Sequence, residues 1–137
     1  MDSLERTHPD IAKLIEELDA AGLQKAALQI SKQALALNHV HRVEVDELIE
    51  RAKSGGLSGS DLAQLTSLAA STEKSYLEAQ GRDKDIESNP ELVAGFKEAR
   101  ALNSLAAANN NPTDSIYEAL HAGVSKESIK QVLESAK

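Results

Sequence analysis

The sequence predicts an all-α fold, a compact bundle of about six to eight helices built from helical hairpins. Three observations carry this. Apolar residues recur at helical spacing along most of the 137 residues. Capping and breaking residues stand where each periodic stretch begins and ends. No segment alternates apolar and polar residues in the β manner for more than a few positions, the nearest being VHRVEV from Val40 to Val45.

Pro9 has its φ preset for a first helical position, and Ile11, Leu14, Ile15 and Leu18 then form one apolar stripe before Gly22. From Leu23, the spacing of Ala27, Ile30, Ala34 and Leu37 predicts a second helix that stops near Asn38 and His39. Val45, Leu48, Ile49 and Ala52 mark a third, closed at Gly55-Gly56, where glycine can turn left-handed. Ser60 is the expected cap of a long fourth helix carrying Leu62, Leu65, Leu68, Ala69 and Tyr76 towards Gly81.

Asn89 as cap and Pro90 as first residue open a fifth helix, with Leu92, Val93, Phe96, Ala99, Leu102 and Ala106 inward. After NNNP at Asn109 to Pro112, Thr113 is the expected cap of a short helix through Ile116, Tyr117 and Leu120. A corner at Gly123 leads to a last helix from Ser125, with Ile129, Val132 and Leu133 inward. The whole reads as a single domain over 1–137, with surface connections near 53–60, 81–90 and 109–113. Aromatics are 2% of the chain, so Leu, Ile, Val and Ala must build the core, with Phe96, Tyr76 and Tyr117 as its only large rings.

Gly22, Gly56 and Gly123 share a pattern: Leu18, Ala52 and Ala119 four before, Leu23, Leu57 and Val124 next, Leu28, Leu62 and Ile129 six after. That is the pattern of a helical-hairpin corner, in which glycine absorbs the turn and the next apolar side chain plugs it. Gly22 and Gly56 lie 34 positions apart, and Ala26 to Asn38 resembles the second helix of a tetratricopeptide repeat, which would imply stacked helical pairs. The Trp, Gly and Tyr positions of that repeat's first helix have no counterpart.

The segment Ile116 to Leu133 resembles a helix-turn-helix unit: Ala119, Gly123, Ile129 and Val132 occupy its four packing positions. The resemblance implies DNA contact through Ser125, Lys126, Ser128 and Lys130 at the start of a recognition helix. Charge argues the other way. Fifteen Lys+Arg against 22 Asp+Glu give a net charge of −7, no arginine lies in the segment, and Glu127 and Glu134 offset its lysines.

Catalytic and cofactor patterns are missing. There is no cysteine, hence no disulfide, thiolate metal site or cysteine nucleophile. His39 and His41 stand at i,i+2, which points them to different sides of a helix. GGLSGSD lacks the Lys-Ser/Thr of a phosphate loop and the strand of a nucleophile elbow. Glu16-Glu17-x-Asp19 and Glu44-x-Asp46-Glu47 place adjacent carboxylates about 100 degrees apart on a helix, which is no acid/base pair. No metal and no cofactor is expected.

No apolar run approaches the roughly 20 residues needed to span a bilayer, and the polar N-terminus lacks a signal-peptide pattern, so a soluble cytoplasmic protein without membrane contact is expected. Without catalytic grammar, the expectation is a non-enzymatic regulatory, adaptor, inhibitor or chaperone-like module that binds a protein through an inter-helix groove or its acidic face. Leu102, Tyr117 and Leu120 are the candidate contact residues, and Ala-rich Leu105 to Ala108 is a candidate seam for a second copy of the chain. DNA binding through residues 116–133 is the alternative.

Overall fold

A computed structural model of the chain describes residues 6–38, 40, 43–54, 56–79 and 90–136. Seven helices are bounded among them: α1 Pro9–Glu16, α2 Ala20–Leu37, α3 Val43–Ser54, α4 Gly59–Ala79, α5 Pro90–Ala107, α6 Pro112–His121 and α7 Lys126–Ser135. No strand occurs among the described residues. The bundle is all-α, as the periodicity predicts.

The helices begin where side chains satisfy the free amides of the first turn. Asp19 Oδ1 accepts from Gly22 N at 2.7 Å and starts α2. Gly22 is therefore the third residue of a helix and not a hairpin corner like Gly123. A Cβ at Gly22 would lie 2.9 Å from Asp19 Oδ1, so glycine keeps room for the cap. α4 is capped two residues before the expected Ser60: Ser58 Oγ accepts from Asp61 N at 3.1 Å, and Asp61 Oδ2 accepts from Ser58 N at 3.0 Å. This reciprocal pair is a capping box. α6 is capped by Asn111, not Thr113, because Pro112 takes the first helical position and Asn111 accepts from Asp114 N. Asn89 lies outside the described residues.

Among the described residues two glycines do turn left-handed, Gly56 with φ 103° and Gly123 with φ 102°. At Gly123 the chain makes both bonds of a Schellman motif: Val124 N donates to Ala119 O and Gly123 N to Leu120 O, each at 3.1 Å. Gly22 and Gly56 thus differ in conformation, and the 34-residue spacing between them does not relate equivalent corners.

α2 and α5 are the central helices. α2 packs against α3, α5, α6 and α7; α5 packs against α4 and α6; α1 lies on α7. The largest fully buried side chains are aliphatic, among them Ile30, Leu65, Leu102, Leu105 and Ile116. Alanines between them, including Ala27, Ala34, Ala101 and Ala119, are also buried, which lets the helix axes approach. The core is aliphatic, as the composition predicts; Phe96 and Tyr117 are partly buried, and the side chains of Tyr76, Leu92 and Val93 lie outside the described residues. Leu37, expected inward, is exposed at the end of α2.

At the contact of α2, α5 and α6 sit three serines, Ser31, Ser104 and Ser115, all fully buried. Ser104 Oγ donates to Ser115 O at 2.7 Å and Ser115 Oγ to Ser104 O at 2.6 Å. Ser31 Oγ stands 2.9 Å from Ser104 Oγ, 3.0 Å from Ser115 Oγ and 2.9 Å from Ala27 O. Each hydroxyl therefore has a partner, which is the condition for burying it.

Candidate functional site

The three candidate contact residues do not share a surface. Leu102 is fully buried in the core, so it is unavailable to a partner. Tyr117 and Leu120 are partly buried and, with Thr7, His8 and His121, line a small cleft of about 210 Å³. The Tyr117 and His121 rings meet edge-on at 4.5 Å, as two rings one helical turn apart can. The Ala-rich seam is likewise turned inward: Leu105 and Ala108 are fully buried, and Ala106 and Ala107 are partly so.

The start of α7 has the local geometry of a capped helix. Ser125 Oγ accepts from Ser128 N at 3.2 Å and lies 2.9 Å from Ser128 Oγ. Its lysines are engaged within the chain: Lys126 Nζ and Lys130 Nζ lie 2.8 and 2.6 Å from Asp10 Oδ2 on α1. The two ammonium groups, Lys126 first, hold the Asp10 carboxyl far below the ordinary carboxylate range, and Asp10 raises Lys130 in turn. Ile129, Val132 and Leu133 point into the core.

Other titratable groups are dispersed. Glu16, Glu17, Glu44, Asp46 and Glu47 are exposed. Asp61 is held below its ordinary range by the Ser58 amide first, and also by Arg51 at 2.7 Å. Among the described residues no three His, Asp or Glu side chains gather as a metal site, and His39 and His41 lie outside them.

A larger concavity than the Tyr117 cleft lies between α2 and α3, with Asn109 and Asn110 after α5 also lining it. Its volume is about 870 Å³, within the range of ligand and peptide sites. Leu28, Ala52 and Leu57 supply apolar surface, and Lys25, Lys32 and Lys53 stand around it. The amides of Gln24, Gln29, Asn109 and Asn110 complete the lining, and no Asp or Glu among the described residues contributes. The ammonium of Lys53 beside Lys32 lowers the proton affinity of Lys32, and partial burial adds to this.

Local structure explains how these groups converge. Lys25 and Lys32 are seven residues apart on α2, two helical turns, so they share a face. Lys53 lies in the last turn of α3, where a cation is favoured by the helix dipole. Gly56 carries the chain away with its positive φ, and a Cβ there would face Asn109 Nδ2 at 3.5 Å. Gln24 Nε2 donates to Asn109 O at 3.1 Å, which ties α2 to the end of α5. Asn109 Nδ2 itself is buried without a hydrogen-bond partner.

This cleft is not apparent in the sequence, because its lysines are spread over 28 positions and each by itself reads as solvated surface. Two signals are there, the i,i+7 spacing of Lys25 and Lys32 and the absence of any Asp or Glu between Asp19 and Glu44. Among the described residues no helix is long and apolar enough to cross a membrane. No protein-family model, curated protein or solved structure matches this chain.

Proposed function

We propose that the protein is a non-catalytic interaction module that holds part of a protein partner in the cleft between α2 and α3. The observation that carries this reading is the cleft itself, which combines apolar surface with hydrogen-bonding side chains and contains no opposed acid and base. Leu28 and Leu57 remain half-buried in the free chain and lose further apolar surface when covered, a favourable term of roughly 25 cal/mol per Å².

Protein contact has more support than DNA contact. The Gly123 corner packs as a helix-turn-helix corner does, with Ala119, Ile129 and Val132 buried. Lys126 and Lys130, however, already share Asp10, and a phosphate must displace that carboxylate to reach them.

Site-specific photo-crosslinking in cells tests the reading. A benzophenone amino acid in place of Gln29 or Leu57 should yield a discrete heavier species, and one in place of exposed Gln131 on α7 should not. Crosslinks from position 131 alone, or none from either cleft position, would refute it.

A further inference from the structure

We propose that the segment held in this cleft is acidic and amphipathic, its carboxylates spanning the lysines of α2 and α3 and its apolar side chains resting on Leu28 and Leu57. This deepens the interaction reading and rests on it.

Charge complementarity decides the occupant. The chain carries 22 Asp+Glu against 15 Lys+Arg, yet the cleft is lined by three lysines and by no described carboxylate. Lys25 and Lys32 make no ion pair among the described residues, and Lys53 has Glu50 at 3.4 Å. Lys32 stands beside Lys53, and Glu50, 3.4 Å from Lys53, offsets their repulsion only in part, so a further carboxylate between the two lysines would relieve it.

Shape favours a segment over a small anion. The cleft follows α2 from Ala21 to Lys32, about three helical turns. Lys25 and Lys32 are separated along the axis by about 10 Å, the product of seven residues and the helical rise. One phosphate or carboxylate cannot reach both ends. A peptide with acidic groups seven apart on a helix, or three apart on an extended chain, spans them.

The test uses the full chain, ¹⁵N-labelled, and three synthetic amphipathic peptides with the same leucine positions and with Glu, Gln or Lys at the polar ones. The Glu peptide should shift the amides of Gln29, Lys32, Lys53 and Gly56 most, and bind at least tenfold more weakly at 300 mM than at 50 mM salt. Lys32→Gln with Lys53→Gln should weaken it by about tenfold, each exposed pair contributing a factor of roughly two to five. Lys25→Gln alone, distant from the Lys32 and Lys53 contact, should weaken it by a single such factor. A circular dichroism spectrum and melting curve matching the parent would establish that the variants fold.

Equal binding of the Gln or Lys peptide in the cleft would overturn the acidic assignment while leaving the interaction reading intact. Saturation of the same amides by inorganic pyrophosphate as tightly as by the Glu peptide would replace the segment with a small-anion site. Shifts at Lys13 and Lys97 instead of the cleft, or no shift with any peptide, would also overturn it. The crosslinking experiment judges the underlying reading independently.

Discussion

Valine at position 104 should destabilise the protein far more than alanine there, and the serine cluster shows why. Ser31, Ser104 and Ser115 bring three hydroxyl protons to a space without solvent exposure. Two protons are committed, because Ser104 and Ser115 each donate to the other's backbone carbonyl at 2.7 and 2.6 Å. The third, on Ser31, is shared between Ala27 O and the two neighbouring hydroxyl oxygens. Ser104→Ala removes one of these bonds, yet Ser115 still donates to the carbonyl of residue 104 and Ser31 still has two acceptors. No buried donor is orphaned. The loss is then one hydrogen bond, about 1 kcal/mol, offset by up to about 0.5 kcal/mol from the better helix propensity of alanine.

Replacing all three serines with alanine removes donors and acceptors together and should cost less than the sum of the three single changes. Valine at 104 adds two methyl groups where α2, α5 and α6 meet through hydroxyls at 2.9 to 3.2 Å, and overpacking of this kind costs about 1–3 kcal/mol or more. For a chain of this size 1 kcal/mol corresponds to roughly 3–5 °C in Tm. Thermal and urea unfolding followed by circular dichroism would measure the parent and each variant. Single alanine variants that each lose more than about 3 kcal/mol, or a valine variant as stable as the alanine one, would show that the proton count or the close helix contact is wrong.

Other outcomes follow from the same geometry. Gly123→Ala should cost about 1–2 kcal/mol in urea unfolding, since φ of 102° strains any residue with a Cβ. Ser58→Ala should cost about 1 kcal/mol by removing the α4 cap that Asp61 N uses, whereas Ser60→Ala should be nearly silent. Asp10 has a folded pKa below its unfolded one, so its contribution is complete above about pH 4 and is lost as pH falls towards the folded value. Urea midpoints at pH 5 and pH 2.5 should therefore drop further for the parent than for Asp10→Asn, and equal drops would show that the Lys126 and Lys130 pairs do not persist in solution. An electrophoretic shift with DNA should be absent at about 50 mM salt and should appear, if anywhere, in the Asp10→Asn variant that releases both lysines.

Much of the local structure is legible one residue at a time. The stripes through Ile11 and Ile15, Ala27 to Ala34, and Ile129 to Leu133 lie on the buried faces of helices, because a 3.6-residue period admits one inward face. The two misplaced caps were legible as well: Ser58-x-x-Asp61 is a capping-box spacing, and Pro112 marks Asn111 as the residue before it. Gly22 misled because glycine at a turn and glycine in a first helical turn read identically. Asp19, three residues earlier, distinguishes them.

The amino-acid sequence by itself determined the all-α class, the order of the helices and most of the inward faces, since these depend on spacings within about four residues. Tertiary structure alone decided that Leu102 is core, that Asp10 holds Lys126 and Lys130, and that Lys25, Lys32 and Lys53 face one cleft in an otherwise acidic chain. The reason is physical: a helix fixes which residues share its own face, but only the packing of α1 on α7 and of α3 against α2 brings groups distant in the chain within a few ångströms. The sequence leaves residues 20–43 without a carboxylate, and folding brings Lys53 of α3 to the lysines of that stretch.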